Sequence, residues 1–547
     1  MPDRSSIELT TDVLVVGGGL GGVSAALTAA SLGATVILVE ELDWLGGQLT
    51  AQGIPLDEYP WNETVVFSRT YAEFRSRIRQ YYRDNYPLTA AARANPLLNP
   101  GMGNVSTIAH EPRVSVQVIE AMMSPFVGSQ TLRVLRRHKV LSVATDRDRI
   151  SGIVSRNLNT GREVAITCRT IIDATETGEL LELANVEHVL GAEARKDTGE
   201  PHALDMADPL NQPGVTWAFA ADYLPGESHI IDKPASYERW RDRTLAPWPS
   251  PRFTWTIPDH VTHQMRQRPL FAGDTDEEYL FDLWHARRIA YRRNFEPGAY
   301  PSDITLACWP QIEYWDRPVL GVPSEQAELA LRESRELSLS FVYWMQTEAP
   351  RHDGGQGYPG LRLRGDVLGT DDGLAKQVYY REGRRIKAEF TLLEQHIAVE
   401  ARKSLTRAET FADSIGIVAY RIDLHYSTRG NDTIDLDTYP FQLPLGALLP
   451  VRVDNLLPAC KNLGTTRITN STCRVHPAEW SIGEAAGALA VFAQANNIPP
   501  RGVRNDPKRL ADFQSLLKKR GVMLAWPEFG VLNAMARIGY RPPPAKA

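Results

Sequence analysis

Residues 12–50 read DVLVVGGGLGGVSAALTAASLGATVILVEELDWLGGQLT, and five of the six positions 17–22 are glycine. The apolar run at 13–16 suits a strand buried on both faces. The alanine-rich stretch VSAALTAASLG predicts a helix, with Gly33 just past its end. ATVILVE is a second buried strand. Strand, turn, helix and strand make a βαβ unit, which commits the chain to a parallel sheet. Gly17, Gly19 and Gly22 fit G-x-G-x-x-G at its first turn: one for the tight turn, one for backbone approach to a pyrophosphate, one for close helix–strand packing. The helix start offers free N–H groups and a positive dipole to phosphates. Glu40 falls 23 positions after Gly17, at the end of the second strand, where a carboxylate accepts hydrogen bonds from an adenosine ribose.

A second match to the same pattern, GQGYPG at 355–360, follows Arg351-His352-Asp353 rather than a strand and contains Pro359, so it reads as a loop. One dinucleotide site is expected. The glycine motif alone leaves NAD and FAD open. Three later stretches bear on the choice. LGGQLT at 45–50 offers a second glycine pair. TIIDATETG at 170–178 is a buried strand running into Asp173-Ala174-Thr175. Residues 455–494 pass from a strand through a polar loop into a long helix. Pro477 suits that helix's first turn, and Gly483, Ala485, Ala486 and Gly487 give it a small-residue face.

With these motifs the chain resembles the FAD-dependent oxidoreductases of the glutathione-reductase-like flavoprotein fold, and more closely the bacterial family of FAD-dependent oxidoreductases. The resemblance rests on VVGGGLGGVSAALTAASLG, DATETGELLELANV, YYREGRRI, DSIGIVAYRIDLH and NLLPACKNLGTTRITNSTCRVHPAEWSIGEAAG, across residues 10–495. It implies an α/β fold: a Rossmann-like FAD-binding domain, with parallel sheet and antiparallel β-meander, carrying an inserted α+β substrate domain. It also implies FAD as cofactor, with Gly17, Gly19, Leu20, Gly21 and Gly22 on the pyrophosphate and Glu40 and Glu41 at the ribose. By the same resemblance Gly46, Gly47 and Gln48 line the path to the flavin, and Val140 meets the adenine through its backbone. Ala174 and Thr175 flank the adenosine. Residues 461–474, including Asn462, and the helix start after His476 face the isoalloxazine ring.

The remainder fits this plan. Residues 131–168 alternate apolar and polar in short runs, with turns at 146–148 and 159–161, and predict a three- or four-stranded antiparallel meander. Proline and aromatic clusters become frequent after 190. The division expected is 1–190 and 421–500 for the FAD-binding domain, 191–420 for the substrate domain, and 501–547 for a C-terminal helix and proline-rich tail.

A net charge of −6 argues against a general attraction to nucleic acid or acidic membranes. The basic, aromatic stretch at 68–83 therefore reads as an amphipathic helix with a solvated basic face. The four cysteines make neither C-x-x-C nor a disulfide or zinc spacing, which suits a reducing compartment, and no metal site is expected. No stretch is apolar for long enough to span a bilayer, and a cytoplasmic setting is expected. Partners are a small-molecule substrate and an electron acceptor, oxygen or a carrier, with a homo-oligomer as an option.

A flavin that accepts a hydride at N5 leaves negative charge over N1 and the C2 oxygen. The helix start at Pro477 and the cation of Arg474 suit that charge. A substrate carrying a hydroxyl or amine also needs a base, and histidine titrates in the useful range. His425 and His476 are the two candidates, with Tyr426 behind them. His110 reads as structural. Arg381, Arg384 and Arg385 either brace a domain interface or bind a substrate carboxylate. Three functions stay open: oxidation of a small organic molecule, a redox-neutral flavin reaction, and non-catalytic flavin binding.

Overall fold

The computed structural model describes residues 7–527 apart from positions 60, 245–247, 249, 260–263, 274–281 and 431–432. Strand β1 (Ile7–Val16) starts earlier than its apolar run, because its polar first residues pair with a neighbouring strand. Helix α1 (Leu20–Ser31) crosses back, and β2 (Val36–Glu40) lies parallel to β1 with Val13 opposite Val36. Helices α2 (Arg69–Asn85) and α3 (Pro112–Gly128) follow. Then β3 (Leu132–Arg136) joins β2 in parallel, and β4 (His138–Asp146), β5 (Arg149–Asn157) and β6 (Glu163–Asp173) form an antiparallel meander. The sheet order is β3-β2-β1-β6-β5-β4. The sequence assigns residues 132–136 to the meander, whereas the structure puts them in the parallel sheet. Arg137, with φ at 60°, turns the chain between β3 and β4, so one alternating run serves both sheet edges.

The aromatic-rich middle of the chain builds a second, antiparallel sheet. Its strands are β7 (Phe219–Tyr223), β8 (Arg288–Ala290), β9 (Ile304–Ala307) and β10 (Leu361–Leu363), in the order β8-β9-β7-β10. Helix α4 (Ser324–Thr347) contributes Phe341 and Trp344 to the cluster of buried aromatics packed with this sheet. The expected decoy at 355–360 is loop and turn.

The chain then returns through β11 (Ser414–Val418) and β12 (Ile422–Leu424). Strand β13 (Leu456–Pro458) lies parallel to the end of β6, with Leu456 opposite Ile171. Short α5 (Arg467–Cys473) precedes the long α6 (His476–Ala495), which has Pro477 in its first turn. The small-residue face of α6 packs on α1: a Cβ at Gly483 would lie 2.0 Å from the Gly21 carbonyl oxygen. Helix α7 (Pro507–Arg520) is the expected C-terminal helix, and the proline-rich tail lies outside the described residues. Among the described residues no helix is long and apolar enough to cross a membrane.

The basic stretch at 68–83 is helical, as expected, but two of its arginines are not on a solvated face. Arg75 and Arg79 are buried and bridge to Glu58 and Glu63 at 2.5–2.8 Å. A buried guanidinium is tolerated only where carboxylates and carbonyls take up its N–H groups.

Candidate functional site

The glycine turn sits where β1, β6 and α1 meet. Gly17 has φ at +98°, and a Cβ there would lie 2.2 Å from the carbonyl oxygen of Ala174 at the end of β6. A Cβ at Gly22 would lie 2.0 Å from the Gly17 carbonyl oxygen, so α1 approaches its own turn as closely as backbone allows. Gly19 is the N-cap of α1 and brings no side chain to cap it. Leu20 and Gly21 open the helix and are buried. The Gly46 amide donates to the Gly18 carbonyl at 2.7 Å, and Gly19 and Gly46 form a parallel bridge. The structure thus brings the second glycine pair, Gly46 and Gly47, against the first motif.

Glu40 closes the other side of the turn. Its carboxylate accepts the Gly18 amide at 2.6 Å and the Leu42 amide at 2.7 Å. Burial outweighs these bonds and pushes the acid up to about 7. Glu41 sits farther out, bridged to Lys139 at 3.1 Å. Val140 lies at a bulge of β4, opposite Ser155. Ala174 receives the turn through its amide, which donates to Val16 at 2.7 Å. The Thr175 hydroxyl donates to Asp173 at 2.7 Å, and the Asn462 amide donates to the Asp173 carbonyl at 3.0 Å. Asn462 therefore ties the end of β6 to the loop after β13.

Glu176 and Glu479 at this turn were given no role from the sequence, and Lys461, expected at the isoalloxazine ring, pairs with Glu176 here. Glu176 and Glu479 are the side chains nearest to a Cβ built on Gly19, at 3.3 and 3.0 Å. Lys461 joins Glu176 at 2.5 Å, and the Cys460 thiol donates to Glu479 at 3.3 Å. Burial pulls the Lys461 ammonium down, but Cys460, Glu176 and Glu479 outweigh it and keep it charged. Burial, then repulsion from Glu176, pushes the Glu479 carboxyl above the ordinary range, toward its neutral form. With Lys461 charged and Glu479 shifted toward its neutral form, the start of α1, which has no side-chain cap, is compatible with an anion. The four cysteines are unpaired, in line with the sequence reading.

Beyond the turn, several buried polar atoms have no partner among the described residues: Gln48 Oε1, Gln52 Oε1, Glu176 Oε1, Asn470 Oδ1 and His476 Nε2. They are linked through the chain. Gln48 follows Gly47, a Cβ on Gly47 would lie 2.6 Å from Glu176 Oε1, and Asn470 donates to the Lys461 carbonyl at 2.6 Å. Buried polar atoms are rarely left unpaired, and each such atom costs about 1–3 kcal/mol. These atoms, a polar row in that they include Gln48 after the second glycine pair and His476 at the start of α6, fit a long polar ligand such as FAD.

The candidate chemical residues come together around Asp423 and Asp57. His425 Nδ1 lies 2.8 Å from Glu313, and its Nε2 lies 3.2 Å from Asp423. Burial lowers the His425 pKa, yet Glu313 and Asp423 outweigh it and hold it above the ordinary value. Arg474 donates to the Tyr379 hydroxyl at 3.0 Å and to the Asp423 carbonyl at 2.8 Å. The Tyr420 hydroxyl donates to Asp57 at 3.0 Å, and the Asp57 amide donates to His476 Nδ1 at 2.9 Å. The Arg287 guanidinium faces Asp57, Tyr379 and Tyr420. Sequence reasoning missed Asp57, Arg287 and Glu313, which lie in unremarkable stretches, and Tyr379 and Tyr420, which lie inside quoted motifs but carried no assigned role there.

Tyr426 packs on Trp315. His110 is buried, with Nδ1 2.6 Å from the Ile108 carbonyl and Nε2 2.6 Å from the Ser115 hydroxyl, and is structural as expected. Arg381 is buried and reaches the Gly214 carbonyl, Thr216 and Glu313; Arg385 reaches the Gly191 carbonyl and Glu193; Arg384 pairs with Glu182. All three brace one segment against another.

A stretch of 76 residues is 43% identical to a carotenoid 3,4-desaturase of Haloarcula japonica, covering 13% of this chain and 15% of the desaturase. The chain also aligns with a geranylgeranyl bacteriochlorophyll reductase-like protein of Thermoplasma acidophilum at 12% identity. That alignment covers 94% of this chain and 84% of the other, with a TM-score of 0.35. A third alignment is with the glycerol-3-phosphate dehydrogenase of Bacillus halodurans, solved in complex with FAD: 14% identity, 39% and 40% coverage, TM-score 0.22. The desaturase and the dehydrogenase are thus matched over well under two thirds of their lengths. The family model described as FAD dependent oxidoreductase matches residues 12–517. With that match over most of the chain, and a turn and polar row that suit the cofactor, this protein belongs to the FAD-dependent oxidoreductase family and its cofactor is FAD.

Proposed function

We propose that the protein oxidises a small organic substrate by transfer of a hydride to the flavin, and passes the electrons to oxygen or a carrier. The observation that carries this reading is the convergence of His425, Asp423, Arg474 and Tyr379 with Asp57, Tyr420 and His476 beside the start of α6. The chemistry that FAD supplies when bound is acceptance of a hydride at N5, with negative charge developing over N1 and the C2 oxygen. The protein residues that would hold it are the 17–22 turn, Glu40, Gly46, Gly47 and the 461–474 loop. Arg474 and the first amides of α6 put positive potential at the ring end of that path. His425 exchanges a proton with the substrate heteroatom at whichever ring nitrogen the substrate frees from its carboxylate, Glu313 or Asp423, and the other carboxylate holds the positive charge on the ring. Residues 191–420 form the substrate side, with their aromatic cluster excluding water. A cytoplasmic setting accords with four unpaired cysteines.

The test is anaerobic mixing of FAD-loaded protein with a panel of alcohols, amines and amino acids, read at the flavin absorption band. Lasting bleaching with a substrate supports oxidation. Turnover without bleaching means a redox-neutral reaction, and no response across the panel means flavin binding without catalysis.

A further inference from the structure

His476 opens α6 and is fully buried. Its Nδ1 lies 2.9 Å from the Asp57 amide nitrogen, whose hydrogen points at it, and 3.3 Å from the Asp57 carbonyl oxygen. A proton on Nδ1 would face the amide hydrogen across the shorter contact, and the two would repel. The amide therefore donates to a bare Nδ1, and the single proton of the neutral ring belongs on Nε2. A second proton is disfavoured: burial, together with His110, Arg287 and Lys461 facing the ring, pulls its pKa down to about 3. Nε2 has no hydrogen-bond partner among the described residues. A buried N–H donor at a helix start, left without an acceptor, calls for one on a ligand.

We propose that His476 is not a base but a fixed neutral donor, which gives its Nε2–H to an acceptor on the pyrimidine edge of bound FAD. The inference rests on the FAD reading and deepens it. FAD is favoured over substrate as the acceptor because the same helix, one turn on, holds Glu479 against the glycine turn, 3.0 Å from a Cβ built on Gly19. One helix end thus carries both His476 and a side chain at the pyrophosphate turn. A donor there favours the reduced flavin, which carries more negative charge at that edge, over the oxidised one.

The experiment uses ring ¹⁵N-histidine protein, with and without FAD, and His476 signals assigned by difference from His476→Gln. The expected result is a protonated Nε2 and an unprotonated Nδ1 from pH 6 to 8, with the Nε2 signal moving when FAD is added. Alongside, the flavin midpoint potential is measured in His476→Gln, whose amide can still donate, and in His476→Leu, which cannot. The Leu variant is expected to lose about tenfold in preference for reduced over oxidised FAD, as befits one hydrogen bond to a charge-bearing edge, and the Gln variant to keep most of it.

A proton on Nδ1, a ring that titrates near neutrality, an Nε2 signal that moves with substrate but not with FAD, or equal potentials in the two variants would overturn the proposal. If the Leu variant fails to fold, the wild-type spectra still decide. Wild-type protein that takes up no FAD would instead refute the cofactor reading. FAD uptake that leaves Nε2 unmoved sinks this inference alone.

Discussion

At the scale of single residues, the site separates space from charge. Gly19 has φ at −60°, which any residue adopts, so a side chain there is not strained by the backbone. It would instead fill the opening bounded by Glu176 and Glu479. Gly19→Val is expected to abolish FAD retention while the thermal unfolding of the FAD-free protein stays near wild type. Glu40→Ala should weaken FAD by about 1–3 kcal/mol, and it should also destabilise FAD-free protein, because Glu40 anchors two backbone amides. A titration of FAD fluorescence with each variant measures both. His425→Asn should slow flavin reduction by about 10²–10⁴-fold with FAD still bound, read by stopped-flow per bound flavin. His110 supplies a pH prediction. Burial lowers its pKa to about 4 from an ordinary 6.5, so the unfolded chain binds its proton first as the pH falls. Its contribution to stability is complete above pH 6.5 and is lost between 6.5 and 4. Relative to wild type, His110→Gln should flatten the decline across that window by about 1.4 kcal/mol per pH unit, measured by urea melts. These residues were legible unevenly. The glycines and Glu40 carry their spacing in the sequence, whereas Glu176, Lys461 and Glu479 reach the same turn from two distant segments.

At the scale of elements, α2 shows how pairing replaces solvation. Ser68 caps it by accepting the Tyr71 amide at 3.3 Å, as serine before a helix commonly does. Its inward arginines are held by Glu58 and Glu63 from the preceding loop. Burial pushes the Glu63 carboxyl up, but hydrogen bonds from Arg75 and Arg79 outweigh it and bring it down to about 2. Ionised Glu63 is therefore stabilising above its ordinary value near 4.5, and the contribution is lost as the pH falls toward 2. Glu63→Gln is expected to cost about 3 kcal/mol near pH 7, with the difference from wild type narrowing below pH 4.5 in denaturant unfolding. The charge pattern of residues 68–83 announces an amphipathic helix and leaves open which basic residues face inward. That choice depends on carboxylates outside the helix. In the same way, residues 132–136 alternate like a meander strand, yet Arg137 turns the chain and leaves them parallel to β2. Alternation reports a half-buried strand and is blind to the direction of its neighbour.

At the scale of the whole molecule, the cofactor path runs between segments far apart in sequence, so FAD should act as a brace. Removing it is expected to lower the unfolding temperature, and restoring free FAD at about a hundredfold excess over its dissociation constant should recover about 2.7 kcal/mol, followed by calorimetry. Equal melting with and without FAD would mean that the polar row is filled some other way. The sequence by itself determined the βαβ unit, the glycine turn, the Glu40 position, the return strand with its small-residue helix, and the FAD family. Each of these is written in local period or fixed spacing, where backbone geometry leaves few residue types acceptable. Only the tertiary structure decided that Asp57, Glu313, Tyr379, Tyr420 and Asp423 gather around Arg474 and the two histidines. It likewise decided that Arg381, Arg384 and Arg385 are braces. A polar residue's role depends on which opposite charge or unpaired atom meets it. Those partners lie up to hundreds of positions away, as with His476 and Asp57, 419 residues apart, and their meeting is set by packing between elements rather than by any local pattern.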